Sequence, residues 1–310
     1  MRKVVVIAGP TASGKTALSL SLARQLQGEI VSADSMQIYR RMDIGTAKAT
    51  PEERALVPHH MIDIVEPEEE YSAARYVEDA AAVCDGLLDA GKLPLITGGT
   101  GLYIDSLLSG RDFGARDEDP SLRESLNRKY DRIGGEEMLA ELAGFDPDRA
   151  AQLHAADRKR IVRAFEVYLL SGKTITAHDL ETKALPPRYR ALYLITGFRD
   201  RALLYERIDR RVDRMMEEGL TDEVRSLLSR GLSPSCTAMQ AIGYKEIVSF
   251  LQGACAEEDA VELIKRSSRR YAKRQLTWFG RREDAVRLYA DEDPQLQNTA
   301  LHQVKEFLNG

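Results

Sequence analysis

The chain has 310 residues, of which 43% are hydrophobic and 30% charged, and its formal net charge is −5 at pH 7. This composition predicts a globular protein of one large or two modest domains, and the negative charge alone argues against a nucleic-acid partner. No apolar run approaches the ~18 residues that span a bilayer, and the three cysteines are too widely spaced for a disulfide framework or a zinc knuckle. We expect a cytoplasmic monomer without membrane contact.

The first predicted elements are a strand, a glycine-rich loop and a helix. Val4 to Ala8 has a buried-strand pattern, and leucines at every fourth position from Leu18 to Leu26 give a helix one apolar face. The sequence between them has Walker A spacing, in which loop N–H groups and a helix N-terminus surround phosphate oxygens. We expect Lys15 to contact the phosphates and the Thr16 hydroxyl to bind Mg²⁺. The predicted phosphate-binding residues are Gly9, Pro10, Thr11, Ala12, Ser13, Gly14, Lys15 and Thr16.

The next two buried strands bring polar residues to the same edge of the predicted sheet. Glu29 to Ala33 leads into Asp34, and Leu93 to Thr97 leads into Gly98-Gly99-Thr100-Gly101. Ligands bind at the carboxyl ends of parallel strands, so Asp34 is placed near the phosphate loop. A nucleotide hydrolase would carry a carboxylate where this chain has only glycines and a threonine. One function that fits a loop without this carboxylate is to hold a diphosphate as a leaving group, with Asp34 as the general base for an acceptor.

A helical segment interrupts the strand pattern. Composition shifts at 110–120 and at 184–189, and the segments between these linkers have helical periodicity. The predicted domains are a discontinuous catalytic core, 1–112 and 187–310, and a helical insertion, 113–186. In the segment 157–170, Arg158, Lys159 and Arg160 lie off the apolar stripe, which fits either a solvated face or a polyanion contact.

The C-terminal part returns to the core and carries a basic helix. Strands are predicted at 191–196 and 286–289, with helices at 203–216 and 262–279 between them. The segment from Lys265 to Arg282 contains eight lysines and arginines and no acidic residue. This predicts a basic surface on an acidic protein, suited to a polyanionic acceptor.

A set of motifs, in order from residue 3 to about residue 280, resembles the bacterial tRNA dimethylallyltransferase family. The motifs are Gly9 to Thr16, Asp34 to Tyr39, Asp43 to Lys48, His59-His60, Gly98 to Tyr103, Gln240 to Glu246 and Arg274 to Phe279. One departure is Gly280, where the family pattern has an arginine directly after Trp278-Phe279; Arg281 or Arg282 is predicted to replace it.

The resemblance implies a P-loop NTPase-like α/β fold, a parallel sheet flanked by helices, with an inserted all-helical tRNA-binding domain. It implies transfer of the dimethylallyl group of dimethylallyl diphosphate to N6 of adenine 37, beside the tRNA anticodon. Asp34 would accept the proton of the amine, and Thr11 and Thr100 would position the reacting groups. Arg211 would be a further diphosphate contact, and Mg²⁺ would be the cofactor.

Adenine 37 must leave the base stack of the anticodon loop to reach the phosphate site. The resemblance places contacts to the flipped base and the anticodon stem-loop on both predicted domains. The predicted tRNA-binding residues are Asp34, Ser35, Met36, Gln37, Thr100, Arg123, Asp157, Arg158, Lys159, Arg160, Ile161, Gln240, Lys273 and Arg274.

Three other functions fit parts of this pattern. A P-loop small-molecule kinase would need a second carboxylate for Mg²⁺ and a lid of arginines. An isopentenyltransferase acting on free adenine nucleotides would share the loop and the aspartate, but would have little use for a basic helix and a helical insertion. A non-catalytic RNA-binding protein would not be expected to keep Lys15, Thr16 and Asp34 together.

Overall fold

A computed structural model describes residues 2–110 and 119–310 and places the strands in a six-stranded, fully parallel sheet. The strands are β1 Lys3–Ala8, β2 Glu29–Ser32, β3 His59–His60, β4 Pro94–Gly98, β5 Arg190–Gly197 and β6 Val286–Tyr289. Their order across the sheet is β3-β2-β4-β1-β5-β6. The helices are α1 Lys15–Leu26, α2 Pro51–Leu56, α3 Ala73–Asp89, α4 Gly101–Ser109, α5 Pro120–Ile133, α6 Gly135–Ala143, α7 Pro147–Ala150, α8 Arg158–Ser171, α9 Ile175–Ala184, α10 Arg201–Glu217, α11 Leu220–Ser229, α12 Tyr244–Leu251, α13 Glu257–Gly280 and α14 Leu296–Asn309.

The central strand β1 is apolar from Val4 to Ala8 because helices cover both faces of the sheet. Residues 4–8 are completely buried, the pattern expected of a parallel strand with no solvated face. One core cluster joins β1 to α1 through Leu18 and Leu22, and to α14 through Ala300 and Val304. The predicted P-loop NTPase-like fold, a parallel sheet flanked by helices, is confirmed.

The strand order explains which loops meet. The neighbours β2, β4, β1 and β5 all run parallel, so the segments after them start from one edge of the sheet. Ala33 N donates to Thr97 O at 2.8 Å, and Thr100 N donates to Ala33 O at 3.1 Å, which joins the ends of β2 and β4. A Cβ at Gly98 would lie 2.2 Å from the Ala33 oxygen, so this approach requires glycine.

Residues 109–187 form a second compact unit, separate from the unit of residues 1–108 and 188–310. Its described part is helical, with a core of its own that includes Leu126, Met138, Leu142, Ile161 and Phe165. The predicted first boundary, 112/113, and most of the predicted linker at 110–120 lie outside the described residues. Among the helices that are described, none is long and apolar enough to cross a membrane.

Candidate active site

The loop between β1 and α1, called the P-loop below together with the start of α1 (residues 9–16), has a backbone conformation that glycine makes possible. Gly9 and Gly14 have φ angles of 147° and 91°, and a Cβ at Gly9 would lie 2.4 Å from the Thr196 carbonyl oxygen of β5. Ser13 Oγ lies 2.6 Å from Thr196 Oγ1, which ties the loop to β5. Ala12 has a φ of 63°, a conformation that costs energy for a residue with a Cβ. The chain therefore maintains a strained cradle at the start of α1, where a helix N-terminus favours anions.

Two cations belong to this cradle. Lys15 Nζ donates to the carbonyls of Gly9 and Pro10, at 3.0 and 2.7 Å. Burial, and then the nearby charge of Arg211 in α10, lowers the pKa of Lys15 to about 7, while Asp34 acts in the opposite direction. Burial also lowers the pKa of Arg211, again against the effect of Asp34. Two desolvated cations near a single carboxylate leave the site electrostatically suited to a ligand with more than one negative charge.

The carboxylate of Asp34 is held in a defined orientation at the end of β2. Asp34 Oδ1 accepts the Met36 N–H at 2.9 Å, and the next residue, Ser35, donates its N–H to Thr100 Oγ1 at 3.1 Å. The loop after β2 is thereby attached to the Gly-rich segment after β4. Because Oδ1 accepts a backbone N–H, we expect Oδ2 to be the oxygen that takes up a proton.

Gln37, a predicted reader of the flipped base, already has partners. Its Oε1 accepts from Ser32 Oγ at 3.0 Å, and its Nε2 lies 3.3 Å from both the Thr46 and Ala47 carbonyls. Contact with an adenine edge would require these bonds to be exchanged. Met36 is half-buried beside it, and both tRNA contacts stay predictions.

Helix α13 contributes two residues that were not among the predicted site residues, although Gln275 lies in the motif from Arg274 to Phe279. Gln275 Oε1 accepts the Thr11 N–H at 2.9 Å, and its Nε2 donates to the Gly99 carbonyl at 3.0 Å. One turn earlier, Tyr271 interacts with the side chains of Thr100 and Gln275. Burial, and then the charge of Asp34, raises the pKa of Tyr271 to about 12, so its phenol stays protonated at neutral pH. Both residues lie in the basic segment, but they are uncharged and face inward, so the pattern of charges along the sequence did not indicate them.

The exposed residues of this unit fit the predicted polyanion surface. Lys273 and Arg274 are exposed on α13, and Gln240 is exposed in a 3₁₀ turn, where its Nε2 donates to the Pro234 carbonyl. Gly280 is the last residue of α13. After it, Arg282 donates to Asp105 and stacks on Tyr193, while Arg281 is exposed. Of the two arginines predicted to replace the missing one, Arg281 is therefore the accessible one.

The predicted tRNA-binding residues of the helical unit fall into two groups. Arg123 pairs with Glu166, whose side chain is only 1% exposed, and Arg158 donates to both oxygens of Asp131 and to Asn127. Both arginines therefore help to hold α5 against α8. Ile161 is 0% exposed in the core of this unit, so we expect packing rather than RNA contact from its side chain.

The second group of the helical unit is accessible. Lys159 and Arg160 are exposed in the first turn of α8, directly after Asp157, the N-cap residue. Asp157 Oδ2 accepts the His154 N–H at 3.1 Å, which shapes the turn that leads into the helix. The phosphate contacts predicted for this segment therefore rest on Lys159 and Arg160.

Comparison with known proteins identifies the family. A family model described as IPP transferase matches residues 37–283, and one described as isopentenyl transferase matches residues 2–59. A tRNA dimethylallyltransferase of Acetivibrio thermocellus is 47% identical over 292 residues, covering 94% of this chain and 93% of the relative. The chain belongs to the IPP transferase family.

Two solved structures of IPP transferases share the fold. The tRNA isopentenylpyrophosphate transferase of Bacillus halodurans has 39% identity and a TM-score of 0.73, with 100% of this chain and 96% of that chain covered. A eukaryotic dimethylallyltransferase that acts on tRNA has 28% identity and a TM-score of 0.85, with 100% and 80% covered. The IPP transferase match includes the Gly-rich segment after β4 and all of α13, so Gln275 and Tyr271 lie within the family region.

Proposed function

We propose that this protein transfers the dimethylallyl group of dimethylallyl diphosphate to N6 of adenine 37 in tRNA and releases diphosphate. The observation that carries the proposal is the loop of residues 9–16, the P-loop, in which Ser13 is tied to Thr196 and Lys15 contacts the Gly9 and Pro10 carbonyls, with Arg211 and Asp34 nearby. Relatives with 47% and 43% identity over most of the chain are tRNA dimethylallyltransferases.

The cations act on the leaving group. As the allylic C–O bond breaks, negative charge accumulates on the diphosphate oxygens. Lys15, Arg211 and the N–H groups at the start of α1 are positioned to stabilise that charge, and the desolvated surroundings strengthen the effect. Diphosphate binding would draw Lys15 Nζ away from the Gly9 and Pro10 carbonyls that it contacts now.

Asp34 acts on the nucleophile. The exocyclic amine of adenine is a poor nucleophile because its lone pair is delocalised into the ring. As the N–C bond forms, the amine loses a proton, and Asp34 Oδ2 is the acceptor. The hydrogen bond from Ser35 N to Thr100 Oγ1 fixes the position of this loop relative to the segment after β4.

Mg²⁺ is proposed as a cofactor on the chemistry of its ligands. The described residues contain no group of three or more His, Cys, Asp or Glu that could hold a metal ion. Mg²⁺ commonly binds substrate phosphates with few protein ligands, and the exposed Thr16 hydroxyl in the first turn of α1 fits that arrangement. When bound, the ion would neutralise charge on the diphosphate.

The tRNA contacts are proposed for the exposed Lys159, Arg160, Lys273 and Arg274. The action on tRNA also supports a cytoplasmic location. The kinase and free-nucleotide alternatives are less well supported, because the relatives that align with this chain over nearly their whole length are tRNA dimethylallyltransferases.

The proposal is tested by offering one donor to several acceptors. The purified protein is incubated with labelled dimethylallyl diphosphate, Mg²⁺ and, separately, unmodified tRNA, AMP or ATP. We expect label on the tRNA alone. Label on AMP or ATP but not on tRNA would identify a free-nucleotide isopentenyltransferase instead.

A further inference from the structure

A buried glutamine links the two halves of the candidate active site. Gln275 is 5% exposed, and its amide bridges the P-loop, through Thr11 N–H, and the segment after β4, through Gly99 C=O. The two partners fix the orientation of the amide, because an N–H requires the oxygen and a carbonyl requires the nitrogen. No other arrangement of this side chain would satisfy both groups.

The bridge is closely fitted to its surroundings. A Cβ at position 99 would lie 2.1 Å from Gln275 Nε2, so the amide occupies space that only glycine leaves open. Gln275 is also the polar member of an otherwise apolar face of α13, formed by Ala260, Ile264, Ala272 and Phe279. A buried amide is costly unless it is hydrogen-bonded, and an apolar residue here would leave the Thr11 N–H and the Gly99 carbonyl without this partner.

The two bridged segments carry different parts of the reaction. The P-loop holds the proposed diphosphate site. Gly99 precedes Thr100, whose hydroxyl accepts the Ser35 N–H beside Asp34. Three hydrogen bonds, together with the backbone between Gly99 and Thr100, therefore connect the P-loop through Gln275 to the residue next to the proposed base.

We propose that Gln275 is a positioning residue for prenyl transfer, which sets the distance between the diphosphate site and the Asp34 loop. The inference rests on the proposed function. Gln275 acts through Thr11 and Gly99 and does not contact the reacting atoms. A displacement of about 1 Å between reacting groups can lower a rate about 100-fold, so loss of the bridge should lower kcat more than it affects the binding of tRNA.

The test compares Gln275→Met with Asp209→Asn. Methionine keeps the length and apolar volume of the side chain but cannot bridge. Asp209 accepts a hydrogen bond from Arg269 across the contact between α10 and α13. Its substitution therefore weakens the packing of α13 against α10 but leaves the hydrogen bonds of Gln275 in place. For each protein we would measure kcat, the KM for tRNA, the melting temperature, and calorimetric binding of inorganic diphosphate with Mg²⁺.

We expect Gln275→Met to lower kcat about 100-fold, to weaken diphosphate binding, and to leave the KM for tRNA within about twofold. Asp209→Asn should lower the melting temperature less, because this ion pair is partly exposed, and should keep kcat within about twofold. An unchanged kcat in Gln275→Met, or an equal loss of kcat in both variants, would overturn the proposal. If the wild type transfers nothing to tRNA, the proposed function fails, and the diphosphate titrations still report whether Gln275 shapes the P-loop.

Gln275→Glu provides an independent variant if methionine prevents folding. Ionised glutamate still accepts the Thr11 N–H but cannot donate to the Gly99 carbonyl, and the protonated form can do both. The ratio of Gln275→Glu to wild-type kcat should therefore rise as the pH is lowered. A ratio that is independent of pH would contradict the role of the donated hydrogen bond.

Discussion

At the residue scale, the charges at the P-loop determine which ligand the site can hold. Lys15 and Arg211 are both desolvated, and Asp34 is the carboxylate that opposes the lowering of their pKa values. The same carboxylate is the proposed base, so it would affect both the binding of the diphosphate and the proton transfer from the amine. Its substitution separates these two roles.

Replacing Asp34 with asparagine should lower kcat by about 100-fold to 10,000-fold, the usual contribution of a general base. The amide oxygen can still accept the Met36 N–H, so the loop should keep its shape. Binding of dimethylallyl diphosphate should be unchanged or tighter, because a negative charge near the diphosphate is removed. Single-turnover kinetics and equilibrium titration measure the two effects.

Asp85→Asn is the matched control for Asp34→Asn. Asp85 accepts from Arg2 and Arg188, which precede β1 and β5. It therefore lies near the amino-terminal ends of the strands, whereas Asp34 follows the carboxyl end of β2. The Asp85→Asn variant should be less stable than the wild type but keep the wild-type kcat. A loss of tRNA binding in Asp34→Asn as large as its loss of activity would make Asp34 a recognition residue instead.

Arg211→Gln should weaken the binding of dimethylallyl diphosphate about tenfold or more, since hydrogen bonds to charged groups contribute about 1.5–3 kcal/mol. The neighbouring Arg210 is exposed and pairs with Glu206 within α10, so Arg210→Gln is the control and should bind normally. Fluorescence or calorimetric titration distinguishes them. Equal affinities of the two variants would remove Arg211 from the diphosphate site.

At the scale of single elements, the basic segments differ in how much of their charge is accessible. In α8, Lys159 and Arg160 are exposed, whereas Arg158 is held by Asn127 and Asp131. From the sequence pattern, Arg158, Lys159 and Arg160 all belong to one basic face of the helix. Because the partners of Arg158 lie in α5, about 30 residues earlier, only the folded helical unit separates a structural arginine from accessible cations.

Replacing Lys159 and Arg160 together with glutamine should weaken tRNA binding and flatten its dependence on salt. Each phosphate contact contributes about 0.7–0.9 to the slope of log K against log salt concentration, so losing two contacts should lower the slope by about 1.4–1.8. Filter binding at several salt concentrations measures it. Arg128→Gln with Lys173→Gln, at exposed positions already paired with Glu124 and Glu181, removes the same charge and should leave the slope nearly unchanged.

Local patterns predicted α13 but not its inward face. The basic residues and their helical spacing identified the helix, although it begins at Glu257 rather than near 262 because three acidic residues favour its first turn. Gln275 was not identified as functional, because its partners Thr11 and Gly99 are 264 and 176 residues away. Hydrophobic periodicity cannot indicate a buried polar bridge over such separations.

At the scale of the whole molecule, the sequence predicted the parallel sheet because β1, β2 and β4 are short, mostly apolar strands that are each followed by a polar loop. The two-residue strand β3, His59–His60, was not predicted because it has no apolar pattern. The rule that such loops meet at one edge also predicted that Asp34 and Thr100 lie close together, and Ser35 N does bond Thr100 Oγ1. The partners of Gln37, Arg123 and Arg158 could not be predicted, because they depend on which side chains meet after folding.

The central claim is that the P-loop holds a leaving diphosphate while an adenine of the tRNA accepts the prenyl group. The most direct measurement is nuclease mapping and nucleoside mass spectrometry of unmodified tRNA after incubation with dimethylallyl diphosphate, Mg²⁺ and the protein. We predict one dimethylallyl group on N6 of adenine 37 per tRNA and release of an equal amount of diphosphate. A tRNA that stays unmodified, or is modified at another position, would contradict the account.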